Sequence, residues 1–125
     1  IYGSYDARLT PSTIQKKGSD EIFLLSYEMI KKFRNSYFQG NIDLSLPDVS
    51  PIQSDLTGMP PALFTVGTRD LLLDDSLFMY GRWLSYGSKA NIIIVTGADH
   101  AFNAFPSTTT KSVEDKINEF IKSVI

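Results

Sequence analysis

Two short, solidly apolar runs govern what this chain can build. ALFTVG at 62–67 is β-branched and aromatic, shows no alternation with polar residues, and is bounded by Pro61 and Gly67. NIIIVTG at 91–97 repeats the pattern. Strands of this kind are buried on both faces, the condition of a parallel sheet inside an α/β fold. Between them a stretch opens at Asp74 and Asp75, carries Leu77, Tyr80 and Leu84 on one helical stripe, and stops at Gly87. Val113, Ile117, Phe120, Ile121 and Val124 form a last stripe, which predicts a helix from about Thr108. Strand, helix, strand, helix over 61–125 is a βαβα unit.

The first 60 residues read differently. Residues 1–19 are rich in Gly, Ser, Thr and Pro and predict irregular structure. Asp20 is an expected N-cap, with Glu21 in the first turn. Ile22, Leu25, Met29 and Phe33 then predict one amphipathic helix from Asp20 to about Tyr37, closed by Gly40. Pro47, Pro51, Pro60 and Pro61 make 41–61 a connection without regular structure. The expectation is one domain over 1–125, with 1–60 irregular apart from one helix. Two parallel strands leave a sheet short of neighbours. That shortage, and a start at Ile1 rather than Met, give the expectation of a segment of a larger fold.

Composition removes several kinds of chemistry. With 12 basic and 14 acidic side chains, net charge −2, the chain has no electrostatic hold on nucleic acid or anionic membranes. No cysteine is present, which excludes disulfides, a thiol nucleophile and thiolate metal sites. The single histidine, His100, excludes multi-histidine metal centres. Asp70, Asp74 and Asp75 lack the ligand alternation and turn glycine of a calcium loop, and no glycine-rich phosphate loop occurs. The expectation is therefore no metal and no cofactor. No apolar run suffices for a signal peptide or membrane span, and a cytoplasmic home is expected.

Chemistry in parallel α/β sheets gathers beyond the carboxyl ends of the strands. Beyond the first strand lie Arg69, Asp70, Asp74 and Asp75, and beyond the second lie Asp99 and His100. Adjacent parallel strands bring these loops together, so a carboxylate and the only imidazole meet. That pairing fixes the tautomer of a general-base histidine and stabilises its imidazolium. Taken singly, each residue reads more readily as structural, a strand-end N-cap or a hydrogen-bonded surface histidine; their coincidence on neighbouring strand ends brings the two readings level. Asp99 ranks below Asp70, because a sequence neighbour reaches the imidazole Nδ1 poorly. Phe102, Phe105 and Trp83 are candidates to line a substrate pocket, though aromatics at a sheet end also serve as core.

The run from Pro60 to Pro106 resembles the C-terminal part of α/β-hydrolases of the hormone-sensitive-lipase-like esterase group. Gly67, Asp70, Leu72, Asp74, Gly87, His100 and Phe102 match its G-x-x-D-x-L-x-D segment, its glycine turn and its H-x-F segment. YGSYDARLTPS and LPDVSPIQSDLTGMPP resemble the same group, so the likeness spans essentially the whole chain. It implies the C-terminal part of an α/β-hydrolase fold, a short parallel sheet flanked by helices. It implies Asp70 as triad acid, His100 as triad base and Asp74 as a support of the acid loop. Asp74 reads equally as the N-cap of the following helix. The chain departs from the pattern in having no G-x-S-x-G and no H-G-G-G segment. The expected function is to supply acid and base to a carboxylic-ester hydrolase acting on a small-molecule ester, without activity alone. An amidase or thioesterase would share these residues. The rival expectation is a non-catalytic α/β domain that binds a partner, or forms a homo-oligomer through an exposed sheet edge.

Overall fold

The computed structural model describes residues 3–17 and 24–125. Its elements are α1 (Pro11–Gln15), α2 (Tyr27–Tyr37), a 3-10 turn at Pro51–Gln53, β1 (Ala62–Gly67), α3 (Leu73–Ser85), β2 (Ala90–Val95), a 3-10 turn at Phe102–Ala104, and α4 (Thr108–Val124). Among the described residues, β1 and β2 form a parallel pair in the register Ala62↔Ala90 through Gly67↔Val95. The right end of this ladder is what matters for chemistry. Both strands finish level, so the loops that follow start side by side.

β1 behaves as a buried strand: Phe64, Thr65 and Val66 are all inaccessible. Phe64 packs edge-on against Tyr5, Tyr80 and Trp83, and joins Ile52, Leu56 and Met79 in one core cluster. β2 departs from expectation. It ends at Val95 rather than 97, and its side chains are only partly covered, with Ile94 47% exposed. Apolar content alone does not reveal which strand has neighbours on both faces.

The helices carry further corrections. The expected cap Asp20, with Glu21 and Ile22, lies outside the described residues. Leu24 to Ser26 are not helical, and α2 begins at Tyr27, where the Ser26 hydroxyl accepts from the Met29 N–H at 3.2 Å. The buried face is not the expected stripe either: Ile30 is buried, while Met29 and Phe33 are exposed. In α3 the buried positions are Asp75, Ser76 and Met79, and Leu84 faces outward. Its cap position is Leu72, which offers no side-chain acceptor, so Asp74 is not the cap. Gly87, at φ +79°, ends the run as expected. Residues 11–15, read as irregular, form one helical turn with proline at its start. Pro51–Gln53 adds a 3-10 turn to the proline-rich connection.

α4 begins at Thr108 as expected, with Ser107 Oγ accepting from the Thr110 N–H at 3.0 Å. Only its first half reaches the core. Val113 is buried, whereas Ile121 and Val124 are exposed. Among the described residues, no helix is long and apolar enough to cross a membrane.

Candidate active site

The two strand-end loops are laced together. The Thr68 N–H donates to the Val95 carbonyl at 3.0 Å, the Arg69 N–H to the Ala98 carbonyl at 3.0 Å, and the Gly97 N–H to Thr68 Oγ1 at 2.9 Å. The approach is so close that a Cβ on Gly67 would lie 2.1 Å from the Ala98 carbonyl oxygen. Glycine is required there for space rather than for its backbone angles.

This lacing puts His100 Nδ1 2.9 Å from Asp70 Oδ2. Asp70 is 1% exposed, and its other oxygen accepts the Leu72 N–H at 2.9 Å. A carboxylate placed this way can hold an imidazole in its Nδ1–H tautomer and stabilise the ring when it takes up a proton at Nε2. Ala101, directly after the histidine, sits at φ 56°, in the left-handed region that glycine prefers. A side chain held there costs of order 1 kcal/mol and is found where surrounding structure over-determines the turn. Asp99 turns to Arg69 instead, with Nε and Oδ1 3.1 Å apart.

The start of α3 is bonded to the N-terminal segment. Asp74 Oδ2 accepts the Ser12 N–H at 2.7 Å, and Ser12 Oγ accepts the Asp74 N–H at 3.1 Å. The buried carboxylate of Asp75 accepts from the Tyr5 and Asp6 N–H groups at 2.6 and 3.1 Å, and from the Thr10 hydroxyl at 2.6 Å. Burial raises the Asp75 carboxyl above the usual range, against the pull of those three donors. Burial also raises the Tyr5 phenol, with the nearby Asp75 charge acting the same way. Sequence reading placed Asp75 at the helix start and among the carboxylates beyond the first strand, but not in this contact with the N-terminal segment. Its side chain is satisfied by residues some 70 positions away, which no local pattern reports.

His100 borders a cleft of about 850 Å³, whose other walls include Leu9, Leu25, Ile30, Phe33 and Val49. Phe102 and Phe105 are not among its lining residues. Their carbonyls accept the Thr110 hydroxyl, at 3.3 and 2.8 Å, and so serve the start of α4. Trp83 is partly buried and packs edge-on against Phe64 of the core, its indole N–H donating to the Pro60 carbonyl at 2.9 Å. The apolar walls that sequence reading did not assign come from α2 (Ile30, Phe33) and from Leu9, Leu25 and Val49 outside it. Among the described residues, no group of three His, Asp or Glu side chains converges as a cation site.

A buried carboxylate and an imidazole meet across the ends of two parallel strands, and comparison with known proteins gives the family of the fold that carries them. The profile of the α/β hydrolase fold matches residues 1–104, and the chain belongs to that family, in its esterase/lipase group. An esterase of Acinetobacter venetianus is 34% identical over 82 residues, which cover 66% of this chain and 27% of that protein. The hyperthermophilic esterase of the archaeon Pyrobaculum calidifontis superposes with a TM-score of 0.86 at 25% identity, covering 98% of this chain and 42% of that one. The esterase EstE5, in a crystal soaked with p-nitrophenyl butyrate, gives 0.82 at 26% identity, covering 95% and 40%. The chain thus spans about a quarter of the curated esterase and two fifths of the solved ones.

Proposed function

We propose that this chain supplies the acid and base of a Ser–Asp–His triad in a carboxylic-ester hydrolase. The single observation that carries the reading is the 2.9 Å contact between His100 Nδ1 and the buried Asp70 carboxylate. Nδ1 donates to Asp70, which leaves Nε2 as the base. Nε2 takes the serine hydroxyl proton as that oxygen attacks the ester carbonyl, and Asp70 stabilises the imidazolium without itself being protonated. The proton then passes to the departing alcohol, and the acyl-enzyme is released by water activated in the same way. Serine and oxyanion hole come from outside these 125 residues, since no G-x-S-x-G occurs in them. Asp74 supports the acid loop through its exchange with Ser12.

The apolar cleft beside His100 supports an uncharged ester with a short hydrocarbon acyl group, and p-nitrophenyl butyrate is a fitting probe. The test expresses the gene's complete reading frame alongside residues 1–125 and assays both on that ester. The expected result is turnover by the complete product that falls at least about 10³-fold with His100→Ala, and none that depends on His100 from residues 1–125. Activity of the complete product that survives His100→Ala overturns the triad assignment. Turnover by residues 1–125 that His100→Ala abolishes overturns the claim that the nucleophile lies elsewhere.

A second reading, self-association, is favoured by one observation. An apolar groove of about 860 Å³ runs beside β1 and α4, lined by Leu63, Met59, Phe120 and Ile121. A clean 14.0 kDa monomer in sedimentation at micromolar concentration would dismiss it.

A further inference from the structure

Three consecutive carbonyls of the acid loop, those of Arg69, Asp70 and Leu71, are each held by a side chain of α1 or the residue that follows it. Ser12 Oγ and Thr13 Oγ1 both donate to the Leu71 carbonyl, at 2.7 and 2.8 Å. Lys16 Nζ donates to the Arg69 carbonyl and, at 3.3 Å, to that of Asp70. Ser12 and Thr13 are buried and Lys16 is half-buried. The residue whose carboxylate meets His100 is therefore gripped through its own main chain from a segment more than 50 residues away.

We propose that Lys16 is a positioning residue for the Asp70–His100 pair, with Ser12 and Thr13 as its partners in a clip formed by α1. This rests on the reading of Asp70 and His100 as acid and base, and deepens it. The physical case concerns direction. Asp70 is tied to its own loop through the Leu72 N–H, through the Asp70 N–H donating to the Gly67 carbonyl at 3.1 Å, and through the Leu73 N–H donating to the Asp70 carbonyl at 3.3 Å. Those bonds set the turn, and the Arg69 N–H ties its start to the Ala98 carbonyl, but all of them come from the two strand-end loops and the start of α3; the side chains of α1 and Lys16 add ties from a separate segment. The ammonium of Lys16 bridges two successive carbonyls on the outer side of that turn, and the two hydroxyls pin the third. Charge-assisted donation to a carbonyl is stronger than neutral donation, so the lysine is the strongest single member of the clip. A catalytic geometry is lost over displacements of about 1 Å, so ties to the main chain of Asp70 bear directly on where its carboxylate sits. Lys17, one residue on, does something else: its ammonium lies over the Tyr27 ring, 5.8 Å from the centroid.

The single histidine makes this measurable without turnover. In the chain labelled with 15N-histidine, the two ring nitrogens report the tautomer directly. The wild-type chain is expected to show one dominant Nδ1–H tautomer and a slowly exchanging downfield Nδ1 proton. Lys16→Ala is expected to move the ring shifts toward a mixture of tautomers and to speed exchange of that proton about tenfold or more. Lys16→Arg is expected to keep the wild-type signals, as is Lys17→Ala. Circular dichroism on each variant separates loss of the clip from loss of the fold, and Thr13→Val provides a second, uncharged probe of the same clip. Wild-type signals in both Lys16→Ala and Thr13→Val overturn the clip. Asp70→Asn separates the two levels of the argument. If it leaves the ring signals unchanged, the acid–base reading itself fails. If it collapses them while Lys16→Ala and Thr13→Val do not, only the clip fails.

Discussion

The two sides of this small sheet are held together by different physics. At the carboxyl end of β1, segments distant in sequence are joined by short hydrogen bonds, several of them fully buried: Asp70 with His100, Asp75 with the turn before α1, Ser12 and Thr13 with Leu71. Beside β1 and α4, by contrast, the surface is apolar and open, with Ile121 and Val124 exposed. Hydrogen-bonded loops tolerate almost no change in distance, because a buried donor or acceptor that loses its partner costs about 1–3 kcal/mol. The apolar face tolerates wide variation, because its contacts are few and non-directional. Precision at a candidate site is thus obtained here without a thick apolar wrapping.

Substitutions at matched places can break or sharpen that contrast. The largest effect is expected at Gly67→Ala, where the new methyl would press on the Ala98 carbonyl. A loss of about 3 kcal/mol in urea unfolding is expected, together with a broadened His100 ring signal. A loss below about 0.5 kcal/mol would mean the two loops are less tightly apposed than their bonds indicate.

The next effect is read as a slope. Burial raises the Asp75 carboxyl in the folded chain, so its contribution to stability is fully present below the unfolded-state value and is lost as pH rises through the folded value. Asp75→Asn removes that loss. Stability of the variant relative to the native chain is therefore expected to improve as pH is raised from about 4 toward neutrality. Asp6 works in the opposite sense, since Arg8 lowers its carboxyl, but it is present in both proteins and cancels in the difference. A relative stability that stays flat over that range would show the carboxylate to be fully compensated by its donors.

The smallest effect is expected on the open side. Ile121→Ser should change unfolding stability by about 0.5 kcal/mol or less in a monomeric chain. A markedly larger loss that grows with protein concentration would show that a second surface covers this face.

How much of this was legible in the sequence varied with the range of the interactions involved. β1 was readable residue for residue, because a Pro- and Gly-bounded apolar run states its own limits. The meeting of Asp70 with His100 was readable from strand order alone, given that parallel neighbours end together. The start of α2 was not, because Leu25 fits a helical stripe yet is buried from the segment before the helix, in a cluster with Ile30, Leu71 and Leu72. Nor was the clip legible, since Ser, Thr and Pro in 10–13 also describe a loop. One local signal was available: Thr10 followed by Pro11 is the signature of a helix start with proline in the first turn. What those hydroxyls bind lies 58 and 59 residues away, and hydrophobic periodicity carries no information about that.

The pairing of Arg69 with Asp99 has a consequence in terms of ionic strength. Two aspartates flank the one imidazole, Asp70 across the strand ends and Asp99 next to it along the chain. The Arg69 and Asp99 side chains are 51% and 30% exposed, whereas Asp70 is 1% exposed. Dissolved ions screen the first pair well and the second hardly at all, because the Debye length falls to about 3 Å at 1 M salt only where solvent can enter. Concentrated salt therefore releases Asp99 from its arginine long before it loosens Asp70. The choice of partner by the histidine is guarded by burial on one side and by a salt-sensitive counterion on the other.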